Sequence, residues 1–202
     1  MTLPKPDDSP KTRIMQAAAS ELARMGPKRF TVIGVAEAAH MTHPNIYRYF
    51  TSKLALMDAL VAQWLKPLEE RIEMVVAAPD PVPDKLERMI AAISRAYREA
   101  KADNLNLFLA FAAANTANRA VIKKHRLRLR RAFDRVIDEG IASEAIGLRD
   151  RAKAQALLTD ACWRFIDPAS VLVEADTETG LNARLERVLE SVLSNLTRRR
   201  LV

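Results

Sequence analysis

Glycine is scarce in this chain, at 5 of 202 residues, and aromatic side chains make up only 5%. With so little glycine, and few β-branched stretches alternating between turn residues, an all-α fold is the expectation. A single cysteine, Cys162, excludes an intrachain disulfide and fits a reducing compartment. The uncharged run that includes Leu105 to Asn118 is too short and too polar to span a bilayer. The start, MTLPKPDDSPK, has no apolar segment of the secretory kind, so a cytoplasmic protein without a membrane partner is expected. His40, His43, His125 and Cys162 lack metal-ligand spacing. No Ser/His/Asp arrangement, glycine-rich phosphate loop or close carboxylate pair stands out either. Metal, cofactor and enzymatic activity are therefore all expected to be absent.

Positive charge, in contrast, is plentiful. The net charge is +7 and the isoelectric point about 9.8. Residues 1–53 hold 8 Lys/Arg against 4 Asp/Glu, so a quarter of the chain carries more than half of the excess. Such a balance favours a polyanion, nucleic acid or an anionic membrane, without choosing between them. Two further basic clusters are Lys123 to Arg131 and Arg198-Arg199-Arg200.

The helices can be read from their punctuation. Residues 1–8, rich in proline and aspartate, are expected to be a flexible tail. Ser9-Pro10 starts a first helix with Ile14, Ala18, Leu22 and Met25 on one face, and Gly26-Pro27 stops it. Thr31 caps a short second helix with Val32, Val35, Ala36 and Ala39 as its apolar side. His40 follows where the chain must turn, a position at which histidine tolerates positive φ. Thr42 then caps a third helix. Pro44 falls in its first turn, where a missing N–H costs nothing, so this proline starts the helix. On a helical wheel Ile46 and Phe50 point inward, Pro44, Asn45 and Arg48 outward, and His43, Tyr47 and Tyr49 flank them. Ser52-Lys53 opens a longer fourth helix with Leu56, Leu60, Trp64 and Leu68 inward, in which Pro67 predicts a kink. Two short helices joined by a tight turn, the second with a polar outer face, make a helix-turn-helix.

From Pro79 to Pro83 the composition changes to a proline-rich linker. Beyond it amphipathic helices are expected near 84–101, 104–117, 119–140, 150–166 and 178–198. In the last, Leu181, Leu185, Val188, Leu189, Val192, Leu193 and Leu196 follow helical spacing. Asp167-Pro168 ends the helix before it. The expected organisation is a tail (1–8), a helix-turn-helix DNA-binding domain (9–53), a connecting fourth helix (54–78), a linker (79–83) and an effector-binding and dimerisation domain (84–202).

Residues 30–60, FTVIGVAEAAHMTHPNIYRYFTSKLALMDAL, resemble the DNA-binding domain of the TetR family of bacterial transcriptional regulators. The elements that carry the resemblance are Phe30-Thr31, Ala36 to Ala39, Ile46 to Phe50 and Ser52-Lys53, and it extends over roughly 10–65. It implies an all-α protein with an N-terminal three-helix DNA-binding domain and a larger C-terminal helical domain for ligand binding and dimerisation. A homodimeric, ligand-responsive repressor on a near-palindromic double-stranded DNA operator, with a small-molecule effector of unknown identity, would follow. The sequence departs from the family's pattern at His40, where the turn usually has glycine, at Ile33, often charged, and at Gly34, commonly acidic.

Within this frame His43, Pro44, Asn45 and Arg48 are the base-reading candidates, since arginine paired with guanine in the major groove discriminates by about 1–3 kcal/mol. Thr31, Thr42, Tyr47, Tyr49 and Lys53 are the phosphate candidates, by hydroxyl, ammonium and helix N-terminus. Phe108, Phe111, Asn115 and Trp163 are candidates for an effector pocket, mixing apolar wall with one amide. Ala154, Leu158, Ala161, Phe165, Leu185, Leu189, Val192 and Leu196 are the dimer candidates, on two helices of an intersubunit four-helix bundle. Cys162 is expected to be a buried, inert thiol. The Lys123–Arg131 run is expected to be a solvated helix face. Two other classes stay open from residues alone: a helical ligand-binding protein or enzyme with a non-functional DNA-binding domain, and a membrane-associated helical protein.

Overall fold

The computed structural model describes residues 9–197. The expected tail (1–8) and the Arg198-Arg199-Arg200 cluster lie outside them. The described residues form α1 (Pro10–Arg29), α2 (Val32–Ala38), α3 (His43–Tyr47), α4 (Lys53–Ala77), α5 (Val82–Asp103), α6 (Leu105–Thr116), α7 (Ala120–Ala142), α8 (Arg151–Ile166), α9 (Pro168–Val173) and α10 (Glu178–Thr197). Among them there is no strand, so the fold class is all-α as expected.

Two compact units divide the chain. One takes in the described residues up to Lys66 and Ala100–Ile122, the other Pro67–Glu99 and the described residues from Lys123 on. In the first, α1 packs on both α2 and α6. The side chains of Ile14, Ala18, Leu22, Phe30, Val35, Ile46 and Leu56 fill its core. The Nδ2 of Asn106 donates to the Ala23 carbonyl of α1 at 2.7 Å. The expected stop at Gly26-Pro27 is visible as a break: Gly26 takes φ +72°, and one further helical turn follows before Phe30. Only glycine adopts that conformation cheaply, and a Cβ there would lie 3.0 Å from Asn106 Oδ1.

In the second unit Leu86, Met89 and Ile90 of α5 and Val136 and Ile137 of α7 are buried. Here α8 packs on α9 and α10. Helix α5 begins earlier than its composition suggests, at Val82, because Pro83 sits in a first turn that needs no N–H from it. Helix α9 was not foreseen. Asp167 not only closes α8 but accepts from the Ser170 N–H at 2.9 Å, so one residue ends one helix and caps the next. Pro67 stands inside α4 without interrupting it, and the boundary between the units falls at that residue. No described helix is long and apolar enough to cross a membrane.

Candidate nucleic-acid interface

The reading segment is built from three caps and two buried anchors. Thr31 Oγ1 accepts from the Gly34 N–H at 3.0 Å and starts α2. After Ala39, His40 takes φ +52°, and the Met41 N–H returns to the Ala36 carbonyl at 2.9 Å. Histidine thus supplies the left-handed turn that glycine would make more easily. Thr42 occupies the cap position of α3 in extended conformation, yet its hydroxyl makes no capping bond. The expected side-chain cap is absent there, and the backbone carbonyl of Thr42 alone receives the first helical bonds, from Asn45 and Ile46. Ser52 Oγ accepts from the Ala55 N–H at 3.0 Å and opens α4.

Helix α3 is anchored by Ile46 and Phe50, which are 0% and 7% exposed. Burying two such side chains contributes about 3–6 kcal/mol to holding the segment in place. What remains outside is polar. Pro44 and Arg48 are exposed and Asn45 half-buried. Tyr47 and Tyr49 are 41% and 42% exposed. The His43 ring meets the Tyr47 ring edge-on, with centroids 4.8 Å apart and planes at 87°, which fixes both side chains to each other. Lys53, at the start of α4, has its ammonium 5.9 Å from the Phe30 ring centroid. Among the described residues His43, Asn45, Tyr47, Arg48 and Tyr49 have no side-chain hydrogen bond or ion pair, so their donors are unspent. The structure thus brings eight of the nine base and phosphate candidates onto one stretch, Thr42 to Lys53. Thr31 stands at the N-terminus of α2, with its hydroxyl already accepting the Gly34 N–H.

Sequence reasoning missed two supports of this surface. Glu21 of α1 is 6% exposed and pairs with Arg24 at 2.7 Å. A Cβ on Gly34 would lie 2.4 Å from Glu21 Oε1. Gly34 therefore leaves room for a carboxylate from α1 beside the N-terminus of α2, where a negative charge is favoured. The second support is Arg119, 16% exposed, which donates to the Leu54 carbonyl at 3.0 Å and pairs closely with Asp58. It holds the first turns of α4, directly after the reading segment. Neither link is local in sequence, so no periodicity or cap signal marks it.

Of the pocket candidates, Phe108 and Phe111 are 0% and 1% exposed and Asn115 half-buried, all on α6. Both rings meet Trp64 of α4 at centroid distances of 6.3 and 5.0 Å. Trp163 belongs to the other unit, on α8, and is 55% exposed. Of the dimer candidates, Ala154, Leu158, Phe165, Leu185, Leu189, Val192 and Leu196 are buried within the single chain, where α8 meets α10; Ala161 is half-buried.

The second unit contains a polar cluster that the sequence did not announce. His125 of α7, 2% exposed, contacts Glu69 Oε1 of α4 at 2.9 Å through Nδ1 and the Tyr97 hydroxyl of α5 at 3.2 Å through Nε2. Arg128 pairs closely with the other Glu69 oxygen. Burial alone would raise the Glu69 pKa, but the hydrogen bonds and charges of His125 and Arg128 outweigh it and hold the carboxyl below its ordinary value. Burial pushes the Tyr97 phenol well above its ordinary value. The basic run Lys123–Arg131 therefore turns one of its members inward, while Arg128 and Arg130 meet carboxylates on the outside. Cys162 is fully buried, and burial pushes its thiol up to about 11, which leaves it un-ionised at neutral pH. Among the described residues no group of His, Cys, Asp and Glu could hold a metal ion.

A short helix projected by a tight turn, with unspent donors outward and two apolar anchors inward, defines a helix-turn-helix DNA-binding regulator. Residues 14–60 match the bacterial regulatory proteins of the tetR family, and residues 82–189 match the tetracyclin repressor-like C-terminal domain. The chain belongs to the TetR family of transcriptional regulators. Similar solved structures include a TetR/AcrR-family regulator from Thermobifida fusca, 21% identical, covering 93% of this chain and 98% of that one with a TM-score of 0.67. Another is FadR from Bacillus subtilis in complex with stearoyl-CoA, 21% identical over 94% and 98% of the two chains, with a TM-score of 0.61. The ketosteroid regulator KstR2 of Mycobacterium tuberculosis is 20% identical over 95% and 96%, with a TM-score of 0.59. At these identities the likeness shows the fold alone. No curated protein sequence matches the chain.

Proposed function

We propose that this chain is a ligand-responsive homodimeric repressor that binds a near-palindromic operator, reading bases with His43, Pro44, Asn45 and Arg48. The observation that carries the reading is the exposed, unpartnered polar face of α3 over the buried Ile46 and Phe50. Thr31, Thr42, Tyr47, Tyr49 and Lys53 would contact phosphates on either side of the groove. A two-fold dimer presents two such helices about one DNA turn apart, so the two half-sites mirror each other.

The dimer would form on α8 and α10. Side chains already buried inside one chain have little area left to lose, so the partner-facing surface falls to their exposed neighbours. Leu157 and Trp163, 40% and 55% exposed, are the large apolar side chains available on α8, with half-buried Ala161 on the same helix and half-buried Val188 on α10. Trp163 is accordingly assigned to this face, and the effector contacts are assigned to Phe108, Phe111 and Asn115. FadR of Bacillus subtilis is seen with stearoyl-CoA and KstR2 is a ketosteroid regulator. An effector with a large apolar body is the class we extend to this chain, and it must bind the non-DNA state more tightly to release the operator.

The test is selection of bound fragments from a random DNA library by the full chain. An enriched near-palindrome whose affinity falls steeply with salt is the expected result. Recovery of no sequence, with no salt-dependent binding, would overturn the reading in favour of a helical ligand-binding protein.

A further inference from the structure

The first unit contains a cavity that the DNA-reading surface does not use. It is a cleft of about 850 Å³ between α1, α4 and the start of α6. Small-molecule sites usually measure roughly 300–1,000 Å³. Its walls are apolar: Met15 and Leu22 of α1, Phe50, Leu60 and Trp64, and Leu107 of α6. Its polar lining is made of the Ser9 and Thr12 hydroxyls, the Lys11 ammonium and the amides of Gln16, Gln63 and Asn104. Among the described residues Lys11 is the only charged side chain lining it, and no carboxylate does. Gln16 and Gln63 line it as well, and among the described residues neither they nor Lys11 have a side-chain hydrogen bond or ion pair.

We propose that this cleft binds an amphipathic monoanion, a carboxylate on an apolar chain or ring system. The tail would lie against Trp64, Phe50 and Leu107, and the carboxylate would accept from the Lys11 ammonium and the glutamine amides. An ammonium with a neighbouring amide is a charge-assisted pairing that a neutral alcohol matches poorly and a cation opposes. This cleft adjoins the α6 effector contacts proposed above, since Trp64 lines it and meets the Phe108 and Phe111 rings, and its occupancy is measured without DNA. Phe50 is also one of the two anchors of the reading segment, so an occupant touches the residue that holds α3 in place.

The experiment is calorimetric titration of the full chain with laurate below its micelle concentration, with dodecanol and dodecyltrimethylammonium as head-group controls. The variants are Lys11→Glu and Ala19→Phe, the latter placing a ring in the cleft from an exposed position on α1; Ala62→Phe does the same from α4 if Ala19→Phe lowers the helical melting temperature. Saturable laurate binding is expected, at least about fivefold weaker in Lys11→Glu and lost in Ala19→Phe, with the cationic control not binding at this site. Absence of laurate binding would overturn the proposal. Equal binding of the cationic amphiphile would do so too, and so would laurate binding indifferent to both variants. A change of oligomeric state in Ala19→Phe without any laurate binding would assign the cleft to a second copy of the chain instead.

Discussion

His43 and His125 are the same residue type in opposite situations. His43 sits exposed on α3, its ring edge-on to Tyr47 and, among the described residues, without a side-chain hydrogen bond or ion pair. His125 is 2% exposed and has Glu69 on one ring nitrogen and Tyr97 on the other. The contrast extends to their neighbours. Around His43, Asn45, Arg48 and Tyr49 keep their donors unspent. Around His125, the Glu69 carboxylate and the Tyr97 hydroxyl each pair with a nitrogen of its ring, tying α4, α5 and α7 together. Burying a polar group is tolerable only when it is paired, so the second cluster is explained by stability alone. Solvent exposure imposes no such pairing, and a row of unspent donors on a rigid, anchored helix is available to a partner. The hydrogen-bonding capacity that remains in this region lies on the outer face of α3.

Substitutions in the two regions should separate cleanly. The largest effect is expected from His125→Leu, which removes one hydrogen-bond contact of the Glu69 carboxylate and one of the Tyr97 hydroxyl. Taking a hydrogen-bond partner from a buried carboxylate costs about 3 kcal/mol, measured as a drop in denaturant midpoint with unaltered base preference in DNA binding. Arg48→Ala should do the reverse. It should relax discrimination at one base pair of each half-site by about 1–3 kcal/mol, read in a binding assay against single-base operator variants, with stability unchanged within about 0.5 kcal/mol. Lys53→Ala should weaken all sequences alike and lower the slope of log affinity against log salt by about one.

A smaller effect follows from Glu69. Its folded-state pKa lies below the ordinary 4.5, so its contribution is present above that value and lost as pH falls through the lower folded one. Glu69→Gln should therefore lower stability at neutral pH and flatten its acid-side decline, in urea titrations between pH 3 and about 6. The smallest expected signal is from Cys162, whose buried thiol should react with a disulfide reagent only on unfolding; prompt labelling of the native chain would contradict its placement.

Local signals in the sequence carried the reading segment a long way. Ser9, Thr31 and Ser52 cap as their residue types suggest, Gly26 breaks α1, and His40 takes positive φ. Ile46 and Phe50 face inward at their helical spacing. What stayed hidden depends on partners far along the chain. The Glu69–His125–Tyr97 cluster joins residues 56 and 28 positions apart. Asn106 reaches Ala23 over 83 positions, which makes α6 part of the unit that contains the reading segment. Gly34 read as a departure until Glu21 was seen to occupy the space that a Cβ would take. Thr42 and α9 mark the limits of local inference in the other direction: a good cap residue left its hydroxyl unused, and a stop signal also served as a start.

The most direct test of the central claim is to measure wild type and Arg48→Ala against every single-base variant of the selected operator at two salt concentrations. The account predicts that the substitution erases preference at symmetric positions in both half-sites and leaves the salt slope nearly unchanged. An unaltered preference profile, or a uniform loss across all sequences, would contradict it.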